Sequence, residues 1–180
     1  MLGFVSTDNA SLVSCLGDPQ RTVVAYRELL RRGESAVGAV RAGLRDPNAA
    51  VREGCCRLLD HLVDTESMSA LIAMVGDPDA RVRIAVFHAL ACDRCKGDTC
   101  APGADRVLDP ALHHLASDPD RHVRAMAAEL VGKFAHFEVR AVAALRASRA
   151  GDPSPAVRKK AGWFIPGGTI YERTRPSATG

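Results

Sequence analysis

The sequence predicts an all-α protein, a right-handed α–α superhelix built as a solenoid of about five helical hairpins. Three observations predict it. A seven-residue pattern recurs four times without a mismatch, an apolar face repeats at helical spacing behind each copy, and a second amphipathic segment precedes each one. Composition agrees: 47% of the 180 residues are hydrophobic but only 4% are aromatic, so the core must be drawn from Ala, Val and Leu, which suit closely packed helices.

The pattern is Asp-Pro-x-x-x-Val-Arg, at residues 46–52, 77–83, 118–124 and 152–158. An Asp side chain accepts hydrogen bonds from the orphan N–H groups of a first helical turn, and Pro at the first helical position forfeits no bond, so each Asp-Pro is expected to start a helix. Behind the four valines, Cys55, Val86, Ala127 and Ala161 follow at the fourth residue, and Leu59, Leu90, Val131 and Ile165 at the eighth. This spacing makes one apolar stripe per helix and a predicted core. The partner helices are expected near 34–45, 66–75, 105–116 and 138–150. A degenerate fifth copy opens the chain, where Asp18 and Pro19 lead into Val23, Val24 and Leu29 without the Val-Arg pair. Terminal repeats depart from consensus because they have one neighbour.

These copies resemble the HEAT repeat, most closely its short bacterial, phycobilisome-lyase-like form, over approximately residues 8–165. The resemblance implies structural roles for the signature residues: Asp46, Asp77, Asp118 and Asp152 would pair with Arg52, Arg83, Arg124 and Arg158 in a ladder between neighbouring repeats. It implies a scaffold, and names no active site. The domain organisation expected is a single solenoid over 1–165, with a Cys-rich insertion at 91–104 and an irregular tail at 166–180.

The insertion is visible in the spacing. Successive pattern aspartates lie 31, 41 and 34 residues apart, and the surplus of the middle interval falls in a polar, Gly-containing stretch that holds Cys92, Cys95 and Cys100. Three thiolates at this spacing suit tetrahedral Zn²⁺, which needs a fourth ligand. His88, one helical turn before Cys92, is the first choice; His61 is the second, and His113 and His114 are weaker. A Cys92–Cys95 or Cys95–Cys100 disulfide, or free thiols, fit the same spacing. A bound zinc would be structural, stapling a segment with little apolar content of its own. Cys55, with Cys56 beside it, reads as core, and Cys15 as part of the first amphipathic segment.

The formal net charge is +3, too small to identify a partner by itself. The second helices of the repeats would line one surface, carrying Arg57, Arg81, Arg121, His122, Lys159 and Lys160. We read this surface as a groove for a protein or peptide partner, with nucleic-acid binding through phosphate contacts as the alternative. Glu53, Asp60 and Glu129 on the same helices weigh against the alternative.

Enzyme readings find little support. A HEAT-like DNA glycosylase needs aromatic walls, yet the chain has a single Trp, Trp163, which the tail is expected to cover. A HEAT-repeat di-iron hydroxylase needs His-Glu pairs, and no His-Glu dipeptide occurs. Bilin lyases share the repeat, but that carries over only the scaffold. The expected function is therefore non-enzymatic binding. Neither a signal peptide nor the roughly 20 uninterrupted apolar residues of a membrane helix is present, so a cytoplasmic protein is expected.

Overall fold

The computed structural model describes residues 8–62, 65–92 and 102–176. Among these residues it contains eleven α-helices and no strand. They form five antiparallel hairpins followed by one short helix, in two compact units, Met1–Ala101 and Pro102–Gly180. The first unit pairs α1 (Asn9–Ser14) with α2 (Thr22–Arg32), α3 (Glu34–Gly43) with α4 (Ala49–Leu62), and α5 (Thr65–Ala73) with α6 (Ala80–Ala91). The second pairs α7 (Ala104–Ser117) with α8 (Arg121–Gly132) and α9 (Val139–Gly151) with α10 (Pro155–Trp163), and ends on α11 (Thr169–Arg173). In the first unit α4 packs on α6 as well as on α3; in the second, α8 packs on both α7 and α10.

The Asp-Pro turns do position the helices, but not as N-caps. Each aspartate instead accepts the backbone N–H two residues on, from Asn48 at 2.8 Å, Asp79 at 2.9 Å, Asp120 at 2.9 Å and Ser154 at 2.7 Å. Proline's fixed φ and missing N–H suit the middle of this Asx turn as well as they suit a first helical residue. Capping passes to the residue after proline. Asp79 accepts from the Arg81 N–H at 2.9 Å, Asp120 from the His122 N–H at 2.6 Å, and Asn48 from the Ala50 N–H at 2.9 Å. In these three copies the third position of the pattern is thus polar for a reason, whereas Ser154 makes no side-chain cap bond.

All twelve residues of the predicted stripes are buried, from Val51, Cys55 and Leu59 through Val157, Ala161 and Ile165. Between hairpins of each unit the ladder forms as expected. Arg52 grips Asp77 with Nε to Oδ2 at 2.7 Å and Nη2 to Oδ1 at 2.9 Å; Arg124 grips Asp152 in the same way at 2.8 and 3.0 Å. Each of these arginines also donates through Nη1 to the carbonyl of its own repeat's Asp46 or Asp118, so one guanidinium closes its own turn and clasps the next. Burial alone pushes the Asp77 and Asp152 carboxyls up. The arginine hydrogen bonds and charge, with the Asx N–H, outweigh it and hold both below the ordinary carboxylate value.

Two regions depart from expectation. In the first repeat α2 starts one residue later after its Asp than the other second helices, behind an Arg21 whose side chain makes no cap, and it buries Ala25 and Leu29. Val23 and Val24 are left 55% and 50% exposed, and with Val24 in place of arginine the ladder begins at Arg52. The tail is not wholly irregular, because it contains α11. Gly167 turns at φ +84°, its N–H donates to Glu172 Oε1 at 2.9 Å, and Tyr171 lies over the His136 ring at 4.1 Å, docking the tail on the α8–α9 connection.

Candidate functional site

Exposed Val23 on α2 and a glycine on α4 help to form a concavity in the first unit. Gly54 has no side chain, so Leu16 packs close against α4 below the surface. Above it opens a cleft of about 510 Å³, with Leu16, Val23 and Tyr26 on one wall and Glu53, Gly54 and Arg57 on the other. Exposed Arg27 stands at its rim. The floor and one wall are apolar while the rim is charged, the combination that fixes a ligand's orientation while burying its apolar part.

Of the residues singled out on the second helices, Arg57, Arg81, Arg121, His122 and Lys159 are exposed and Lys160 is half-buried, and several are already engaged. Arg57 pairs with Glu53 at 2.8 Å across one helical turn. Arg81 pairs with Asp79 at 2.7 Å, an interaction that with the Arg81 N–H holds the Asp79 carboxyl down at about 2. Glu53 also acts on the Arg81 charge, which brings Arg57, Glu53 and Arg81 into one electrostatic group on α4 and α6. In the second unit Arg121 Nε lies 3.3 Å from His122 Nε2 at the start of α8. On α10, Lys159 Nζ stands 5.8 Å above the half-buried Trp163 ring, and Lys160 is bound to Glu129. Surface pairs of this kind exchange partners at little cost, so they tune selectivity without closing the surface.

The metal candidates are divided. Cys95 and Cys100 lie outside the described residues. His88 and Cys92 are brought together at the end of α6, and the third donor beside them is Asp60, near the end of α4; one ligand atom from each lies within 4.8 Å of the others. His88 Nε2 is 3.7 Å from Asp60 Oδ2. Asp60, read from the sequence as a surface carboxylate on the second-helix face, is instead only 3% exposed. The available signal was positional: the equivalent residues of the next two repeats are the buried Ala91 and Gly132. His61 is not part of this group, and His114 is held by Asp118 at 2.8 Å. Cys55, Cys56 and Cys15 are core residues, as expected.

Comparison with known proteins supports the architecture. The family model for HEAT repeats matches residues 37–109, the span holding the Arg52–Asp77 clasp. Among solved structures, the complex of CpcE and CpcF of phycocyanin lyase from Nostoc sp. PCC7120 contains a similar chain. The identity is 21% and the TM-score 0.68, and the match covers 85% of this chain and 95% of that one. A designed armadillo repeat protein in complex with the peptide (KR)4 is similar at 17% identity and a TM-score of 0.58, over 88% of this chain and 80% of the other. No curated protein matches by sequence. These structures share the fold, an α-helical repeat stack. No described helix is long and apolar enough to cross a membrane.

Proposed function

We propose that this protein is a non-enzymatic repeat scaffold that binds a protein or peptide through its second-helix faces, with the α2–α4 cleft as the anchoring site. The observation that carries the reading is the cleft itself: a largely apolar trough of about 510 Å³ beside Arg27 and Arg57. A rigid helical surface loses little conformational freedom on binding, so a modest pocket yields useful affinity. Both similar structures belong to complexes, one of two proteins and one with a peptide. The designed protein's peptide is basic. Arginines at this rim select the opposite sign, an apolar anchor flanked by Asp or Glu. Arg81 extends the surface in the first unit, and Arg121, His122 and Lys159 offer a second basic surface on their own unit. Engagement of Arg57, Arg81 and Lys160 with carboxylates weakens the nucleic-acid reading. The zinc reading of the Cys-rich insertion belongs to the same proposal, with Cys92 and His88 joined by Cys95 and Cys100.

Selection from a random linear-peptide library against the purified chain tests the binding reading. Acidic peptides with one apolar anchor should be enriched, and their affinity should fall at least about tenfold in Tyr26→Ala and Arg57→Ala. Failure to enrich any peptide, or affinity unchanged by both substitutions, refutes the cleft. A short duplex DNA probe titrated across a salt series is the companion measurement, and steeply salt-dependent binding would favour nucleic acid instead.

A further inference from the structure

We infer that Asp60, His88 and Cys92 form a transition-metal site of the Zn²⁺ class, with these three protein ligands and water as the fourth. The donor set is one carboxylate, one imidazole and one thiol, all within 4.8 Å of one another. This mixture excludes Mg²⁺ and Ca²⁺, which take oxygen shells, and matches a borderline-soft ion. The His88–Asp60 spacing also suits two ligands of one coordination shell. At 3.7 Å, His88 Nε2 and Asp60 Oδ2 are too far apart for a hydrogen bond. Two ligands at about 2.1 Å from a tetrahedral zinc stand about 3.4 Å apart, so little movement is needed.

Placement in the fold supports the assignment. His88 and Cys92 lie four residues apart at the end of α6 and its C-cap, so they project on one face. Asp60 comes from the packed neighbour α4 and is anchored in the interior, at 3% exposure, while the His88 side chain is 57% exposed. One ligand is thus rigid and the others can close on the ion. Asp60 occupies a position that the next two repeats fill with Ala91 and Gly132, so the packing of a repeat does not call for a carboxylate there. The thiolate and carboxylate together balance the charge of the ion.

The site shares His88 and Cys92 with the zinc reading above but needs neither Cys95 nor Cys100, and one titration separates the two. The full chain is stripped with chelator and titrated with Co²⁺ and then Zn²⁺, with helicity checked for every variant by circular dichroism. One Co²⁺ per chain is expected, with four-coordinate d–d bands and a thiolate-to-cobalt absorption that disappears in Cys92→Ser. Affinity should fall by roughly tenfold or more in Asp60→Asn and in His88→Gln, yet stay within about threefold in the Cys95→Ser/Cys100→Ser double variant. His88→Gln alters an exposed side chain and keeps the test valid if Asp60→Asn fails to fold. Two results overturn the site: no stoichiometric binding by the wild-type chain, or a double variant that loses the metal while Asp60→Asn retains it. The second result would leave the Cys-rich zinc reading standing.

Discussion

Asp77→Asn isolates the worth of one rung of the ladder. In the wild-type chain Asp77 Oδ1 accepts two donors, Arg52 Nη2 and the Asp79 N–H, while Oδ2 accepts Arg52 Nε at 2.7 Å. The asparagine keeps one oxygen, so the Asx turn survives. Its amide nitrogen, however, faces Arg52 Nε, setting donor against donor. The side chains of Arg52 and Asp77 are only 12% and 4% exposed, so water cannot fully replace the lost acceptor. Losing one charge-assisted hydrogen bond and leaving a mostly buried guanidinium without its counter-charge should together cost about 2–4 kcal/mol. For a chain of this size that is a fall in melting temperature of roughly 5–15 °C. Urea unfolding followed by circular dichroism measures it, in a cycle with Arg52→Met and the double variant. The double variant should be less destabilised than the sum of the single changes, because removing both charges removes the orphan. A change below about 0.5 kcal/mol in Asp77→Asn, or a coupling energy near zero, would refute a structural role for the rung. Arg57→Gln breaks the exposed pair with Glu53 and should change stability by less than about 0.5 kcal/mol.

Three further outcomes follow from the same geometry. Gly132→Ala puts a methyl group into the buried Phe164 ring and should destabilise by about 1–3 kcal/mol, whereas Gly38→Ala, in the open interior of α3, should stabilise by about 0.5–1 kcal/mol; thermal melts distinguish them. Asp77 and Asp152 have carboxyls held below their ordinary value, so the stability they contribute is complete above about pH 4 and is lost as pH falls through the folded values. Urea midpoints at pH 7 and pH 3 should show that loss, with Asp77→Asn losing less than the wild-type chain. Burial pushes the Cys55 thiol up to about 12 and raises Cys56 as well, and neither has exposed surface. Both should resist iodoacetamide at pH 8 until denaturant is added, as peptide mapping by mass spectrometry will read; rapid native labelling of either would contradict the packing.

Much of the fold was legible because a repeat is encoded locally. The spacing of Val51, Cys55 and Leu59 declares a buried helical face without knowledge of what covers it, and three more copies confirm the period. The Arg52–Asp77 clasp was expected only through the resemblance to the HEAT repeat, which implies an Asp–Arg ladder between neighbouring repeats. Local chemistry nevertheless misled at the Asp-Pro step. Asp followed by Pro satisfies the rules for an N-cap and for an Asx turn equally, and only the observed bond from Asp77 to the Asp79 N–H decides between them. The first repeat shows a similar limit. Val23 matches the pattern in sequence, but the delayed start of α2 turns it outward and opens the cleft.

The sequence by itself determined the class, the number of hairpins, the core stripes and the candidate ligands on α6, because each depends on residues a few positions apart. Tertiary structure alone decided which side chain faces them. Asp60 lies 28 residues before His88 in the chain. Whether it points to solvent or into the contact between α4 and α6 depends on how those helices are rotated against each other. That rotation is set by the packing of the whole unit, and no local pattern records it.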